Sequence, residues 1–168
     1  MAEARFLRAY SYSFLIELFG DVPLLTSVPA LEESEIGRTP KEEVVNQIIE
    51  DLDFAAQNLS PEFNEGRATR GAALALKARV ALYNERWQMA VQSSQQVMES
   101  GVYELYPDYR NIFQIEGERN PEVIFDVPYL QGTATHNIPR RQQSRNIGAW
   151  SQHVPSQFIV DSYIDSEG

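Results

Sequence analysis

This sequence predicts a mostly α fold of amphipathic helices packed as helical hairpins, with one short strand and long irregular loops. Three observations predict it. Apolar residues recur at helical spacing over residues 3–19, 39–59 and 69–101. Capping residues and glycines stand at the ends of those stretches. Beyond Gly101 both signals fade into aromatic-rich and then polar, aperiodic sequence.

Taken in order, Phe6, Leu7, Tyr10, Phe14 and Leu18 share one helical face, widened by Leu15 and Phe19. Gly20 follows as a helix stop, because glycine reaches positive φ at little cost. Residues 21–38, with Pro23, Pro29 and Gly37, read as an extended connection. Thr39 then reads as an N-cap, Pro40 as the first helical residue and Glu42 as the partner that completes a capping box. Behind them Val44, Ile48, Leu52, Ala55 and Leu59 form an apolar seam, flanked by Val45, Ile49 and Ala56 and ended by Ser60-Pro61. Thr69 caps the next helix, whose Ala72, Ala73, Ala75, Ala78 and Ala81 permit close helix approach. Leu74, Leu76, Val80, Leu82 and Tyr83 fall on more than one face and predict burial on two sides. Asn84-Glu85-Arg86 is a tight turn. Trp87, Ala90, Val91, Ser94, Val97 and Met98 form the last seam, which Gly101 closes.

Past that point Tyr103, Leu105, Tyr106, Tyr109, Ile112 and Phe113 are irregular and aromatic, and residues 122–127 read as a short strand. Residues 130–153 are polar and rich in Gln, Asn and Arg, so they read as an extended loop, and a helix over 158–163 follows Pro155. The expected organisation is one domain over 1–168, with a helical scaffold at 3–101 and a loop-rich segment at 102–168.

The bulk numbers exclude several function classes. A chain of 168 residues, 43% hydrophobic, suffices for one domain with a core. A net charge of −10 opposes nucleic-acid binding, which needs a basic footprint. The absence of cysteine excludes disulfides and thiolate metal sites. No apolar run reaches membrane-spanning length. Met1-Ala2-Glu3-Ala4-Arg5 leads straight into a helical pattern without the basic and apolar regions of a signal peptide. Core-type residues at one end and a helix that stops at the other read as a fragment of a longer protein.

Helix, short turn and helix with alanines at the contacts resembles tetratricopeptide hairpins, with Ala78 and Ala90 spaced as the small interface pair and Trp87 as the inter-helix aromatic. The order of segments is more specific. Residues 3–10 and 18–24, the segment 38–44 (Arg-Thr-Pro-Lys-Glu-Glu-Val), residues 48–52 with Glu50-Asp51, and the segment 66–73 (Gly-Arg-Ala-Thr-Arg-Gly-Ala-Ala) resemble the SusD/RagB family in sequence order. So do residues 76–80, Tyr103-Glu104-Leu105, Phe113, residues 120–125 and residues 155–163. The resemblance implies a lipid-anchored outer-membrane protein that holds oligosaccharide or polysaccharide at the cell surface and sits as a lid on a TonB-dependent transporter. The family's signal peptide, its lipidated N-terminal cysteine and most of its C-terminal region have no counterpart in this sequence.

Each candidate site has a competing structural role. In the 130–153 loop, Trp150 offers a flat ring for the apolar face of a pyranose. Asn137, Arg140, Arg141, Arg145, Asn146 and His153 offer planar hydrogen-bonding groups for its hydroxyls. The competing role is a solvated loop whose Trp150 covers the core. His136 and His153 are the only histidines and lack ligand spacing, so no metal site is expected, nor any cofactor. The acidic pairs Glu32-Glu33, Glu42-Glu43 and Glu50-Asp51 read as solvated faces rather than the paired carboxyls of a glycosidase. Tyr103, Tyr106, Tyr109 and Phe113 read as core and rim rather than as a stacking platform. The expectation is a non-catalytic glycan-binding component of an outer-membrane uptake system. A tetratricopeptide-type protein adaptor is the alternative, and a glycoside hydrolase ranks last.

Overall fold

The computed structural model describes residues 1–30, 35–62, 66–129 and 155–163. Contacts divide the chain into two units, residues 1–127 and 128–168. In the first, α1 (Ala2–Phe19), α2 (Lys41–Asn58), α3 (Arg70–Tyr83) and α4 (Trp87–Met98) form a row in which each helix packs on the next. Two 3-10 turns, Asn111–Phe113 and Ile115–Gly117, follow. In the second unit α5 (Gln157–Ser162) is a short, exposed helix started by Ser156, whose hydroxyl accepts from Ile159 N at 3.4 Å.

The row explains which apolar residues are buried. α2 is covered on both sides, and Val44, Val45, Ile48, Ile49, Leu52 and Ala55 are all buried. α3 is likewise flanked, so Ala72, Ala73, Leu74, Leu76, Val80 and Ala81 are inside, as its two-faced pattern predicts. Leu82 and Tyr83 at its end are exposed.

At the ends of the row the expected seams shift. α1 buries Phe6, Ala9, Ser13 and Ile16, while Leu7, Phe14, Leu15, Leu18 and Phe19 face outward. The helix is apolar around much of its circumference, so tertiary contacts, chiefly with α2 and with Phe125, choose the face. α4 meets only α3 among the described elements and buries Ala90 and Ser93, leaving Trp87, Val91 and Met98 exposed.

Two local expectations are corrected. The Thr39 side chain does not cap α2; its backbone instead forms a bridge with Val22, with N···O distances of 2.9 and 3.3 Å. The exposed N–H of Lys41 goes to Asp21 Oδ1 at 2.8 Å, and Glu42 pairs with Arg86 instead of folding back. A side chain brought in from a distant connection therefore serves the helix start that the local motif addressed. Residues 122–127 also form no strand: the neighbouring 104–106 segment gives one backbone hydrogen bond, Glu104 N to Pro121 O at 3.1 Å, and no ladder continues from it among the described residues. Their apolar residues serve as a packing strip: Phe125 meets Phe6 edge-on at 5.4 Å, and Ile124 lies against the core.

Thr69 does cap α3, accepting from Ala72 N at 3.2 Å. Glu85 takes φ 59° in the α3–α4 turn. Gly20 and Gly101 both take φ 68°, the region where a side chain would be strained.

Candidate functional site

The expected glycan-facing residues Asn137, Arg140, Arg141, Arg145, Asn146, Trp150 and His153 lie outside the described residues, as do His136, Glu32 and Glu33. Among the described residues no group of three His, Cys, Asp or Glu is placed to hold a metal ion. No described helix is long and apolar enough to cross a membrane.

A cleft of about 290 Å³ opens where the start of α3 meets the end of α4. Arg70, Gly71 and Leu74 line it from α3, and Gln96 and Val97 from α4. Glu99, Ser100, Val102 and Tyr103 line it from the connection beyond, and Pro61 from the segment before α3. The frame is tied at several points. The Tyr103 hydroxyl shares a 3.2 Å hydrogen bond with Thr69 Oγ1, which is buried while it caps α3. Arg70 N donates to Ser60 O at 2.9 Å. The Ser100 hydroxyl donates to Val97 O at 2.7 Å and accepts from Val102 N at 3.3 Å. Gly71 is required here, because a Cβ at that position would overlap the Tyr103 ring.

The side chains of Arg70, Gln96 and Glu99 reach this cleft with no hydrogen-bond or ion-pair partner among the described residues. Arg70 lies in the 66–73 segment, but no sequence motif marks Gln96 or Glu99. The three come from different elements, and only the α3–α4 turn brings them together.

A second, open groove of about 620 Å³ runs along α3 and α4. Ala78, Leu82, Tyr83, Ala90, Val91 and Met98 are among its walls. Tyr109 and Phe113, expected as core and rim, are 76% and 69% exposed and stack edge-to-face at 5.3 Å. Tyr103 and Tyr106 are half-buried.

The acidic pairs divide differently from the expectation. Glu42, Glu43 and Glu50 are exposed, but Asp51 is 1% exposed. Arg8 grips it with Nε at 2.6 Å and a terminal nitrogen at 2.7 Å; Arg5 lies 3.7 Å away and Gln47 at 3.4 Å. The Asp51 hydrogen bond is the main cause that holds the Arg8 guanidinium above its ordinary pKa. Arg5 also stacks over Phe54, 4.2 Å from the ring centroid. A readable signal existed: Val44, Ile48, Asp51, Leu52 and Ala55 recur at helical spacing, so Asp51 falls on the buried face of α2. With its charge neutralised by arginine, Asp51 joins α1 to α2. Among the described residues that line the α3–α4 cleft, one is a carboxylate, Glu99.

In the first turn of α1, Arg67 binds Glu3 with two hydrogen bonds, at 2.6 and 2.8 Å. That bonding holds the Glu3 carboxyl below the usual glutamate range and raises Arg67.

Comparison with known proteins places this architecture. Residues 1–82 match a SusD-like family described as starch-binding, associating with the outer membrane. A SusD-like protein of Formosa agariphila is 33% identical over 188 residues, covering 96% of this chain and 36% of that protein. The crystal structure of a SusD-like carbohydrate-binding protein from Bacteroides fragilis superposes with a TM-score of 0.86 at 30% identity, covering 97% of this chain and 33% of that one. A laminarin-binding SusD-like protein gives a TM-score of 0.72 at 29% identity, over 78% of this chain and 31% of its own. The chain spans 26–36% of the length of the curated relatives it matches. With a fold that follows the first of those structures over 97% of its length and the second over 78%, the chain belongs to the SusD-like family.

Proposed function

We propose that residues 1–168 are one piece of a SusD-like domain in a non-catalytic protein that binds oligosaccharide or polysaccharide at the outer-membrane surface. In this reading the protein is lipid-anchored and passes its ligand to a TonB-dependent transporter. The observation that carries the proposal is the likeness, over 97% of the chain, to a carbohydrate-binding SusD-like structure. The laminarin-binding relative and the family's outer-membrane description support it. Trp150 is assigned to stack on a sugar ring, with Asn137, Arg140, Arg141, Arg145, Asn146 and His153 as hydroxyl partners. The helices serve as scaffold and carry surface for the transporter.

Calorimetry of the intact protein against a panel of soluble polysaccharides tests this reading. Binding of at least one polymer is expected, weakened about tenfold or more by Trp150→Ala, in line with the loss of one buried aromatic contact. The reading falls if no polymer binds, and release of reducing sugar by the pure protein would make it a hydrolase instead.

A further inference from the structure

We propose that the α3–α4 cleft is a binding site for a single neutral sugar ring. The inference rests on the glycan-binding reading and adds to it a site, its residues and its ligand size.

Chemistry selects the ligand class. Arg70 offers only donors, Glu99 only acceptors, and Gln96 both. Sugar hydroxyls donate and accept at once, so they satisfy all three. Arg70 and Glu99 bring one charge of each sign to the lining, which favours neither a free anion nor a free cation. Leu74, Val97, Val102 and the Tyr103 ring supply the apolar surface that the C–H face of a pyranose needs.

Size selects one ring. The volume of about 290 Å³ stands at the lower limit of the range, roughly 300–1,000 Å³, typical of small-molecule sites. The frame is also set beforehand. Tyr103 is held by Thr69 and seated on Gly71, and Ser100 bonds both sides of the loop. Tyr103 thus acts as a wall with its hydroxyl already engaged, leaving Arg70, Gln96 and Glu99 to bind. A site that needs little ordering retains more of its contact energy as affinity.

Saturation-transfer NMR titrations of the intact protein with glucose, galactose, mannose and xylose test this, alongside calorimetry on the polysaccharide panel. At least one sugar is expected to bind with a Kd on the order of millimolar, as suits one ring with few contacts. Arg70→Ala should weaken it about tenfold, the usual effect of losing a charged hydrogen-bond partner. Gln96→Trp, an exposed change that fills the cleft, should abolish it. Circular dichroism of both variants checks that the helices persist.

The inference is overturned if none of the four sugars binds, or if Gln96→Trp leaves sugar binding unchanged. Polymer binding sensitive to Trp150→Ala with a silent cleft would remove only this inference. Sugar binding that responds to Arg70→Ala without any polymer binding would uphold the cleft and remove the polysaccharide reading.

Discussion

Replacing Arg8 by methionine should destabilise the helical unit at the α1–α2 contact. Arg8→Met keeps most of the aliphatic stem but removes both short hydrogen bonds to Asp51, a carboxylate 1% exposed. Arg5 at 3.7 Å and Gln47 at 3.4 Å remain, so the charge is undercompensated rather than abandoned. Breaking a buried pair from one side costs about 3–5 kcal/mol. Because the Arg8 side chain is itself 26% exposed and Arg5 stays in place, the cost falls below that range, to about 2–3 kcal/mol. For a chain of this length that corresponds to a fall in Tm of roughly 4–12 °C.

The two partners are not equivalent. Asp51→Ala leaves an arginine that can turn toward water, so it should cost about 1–2 kcal/mol, less than Arg8→Met. The double variant Arg8→Met/Asp51→Leu should recover much of the loss, since an apolar pair needs no compensating charge. Urea unfolding followed by circular dichroism measures all three. A loss under about 1 kcal/mol for Arg8→Met, or equal losses for the two single variants, would refute the picture of a buried carboxylate held by arginine.

Four further expectations follow from the same geometry. Thr69→Ala removes a buried cap that also holds Tyr103 and should cost about 1–2 kcal/mol, whereas Thr39→Ala, which removes no cap hydrogen bond, should cost under about 0.5; thermal melts compare them. Gly71→Ala usually favours a helix, yet here it should destabilise by about 1–3 kcal/mol because the new methyl meets the Tyr103 ring, and Gly71→Ala/Tyr103→Ala should relieve that overlap. Leu52→Ala, at a fully buried position of α2, should cost about 2–5 kcal/mol in urea unfolding. The Glu3 carboxyl is lowered in the folded state, so its pairing with Arg67 stabilises above the unfolded glutamate pKa and is lost as pH falls through the lowered value. The Tm gap between wild type and Glu3→Gln should therefore hold steady near neutrality and close in acid; a gap that widens in acid would reverse the assignment.

Much of the helical scaffold was legible from the residues. The Val44–Ile48–Leu52–Ala55 seam, the Thr69 cap, the two-faced alanine helix and the 84–86 turn all appear as expected. Each depends on spacing along one helix or on a hydrogen bond between near neighbours. The resemblance in segment order likewise identified the family, because it rests on linear order. The misreadings share the opposite property. Asp21, not Thr39, serves the start of α2, and residues 122–127 pack as a strip without a partner strand. α1 and α4 turn outward residues whose periodicity marked them as core.

By itself, then, the sequence determined where most helices lie, which residue starts α3 and which family the chain belongs to. Tertiary structure alone decided which face of each end helix is buried, since a helix apolar on several sides has no local preference among them. It also decided that Asp51 is an internal tie and that Arg70, Gln96, Glu99 and Tyr103 share one cleft. Charge neutralisation by Arg8 and convergence across the α3–α4 turn act between distant residues, and no local pattern encodes them.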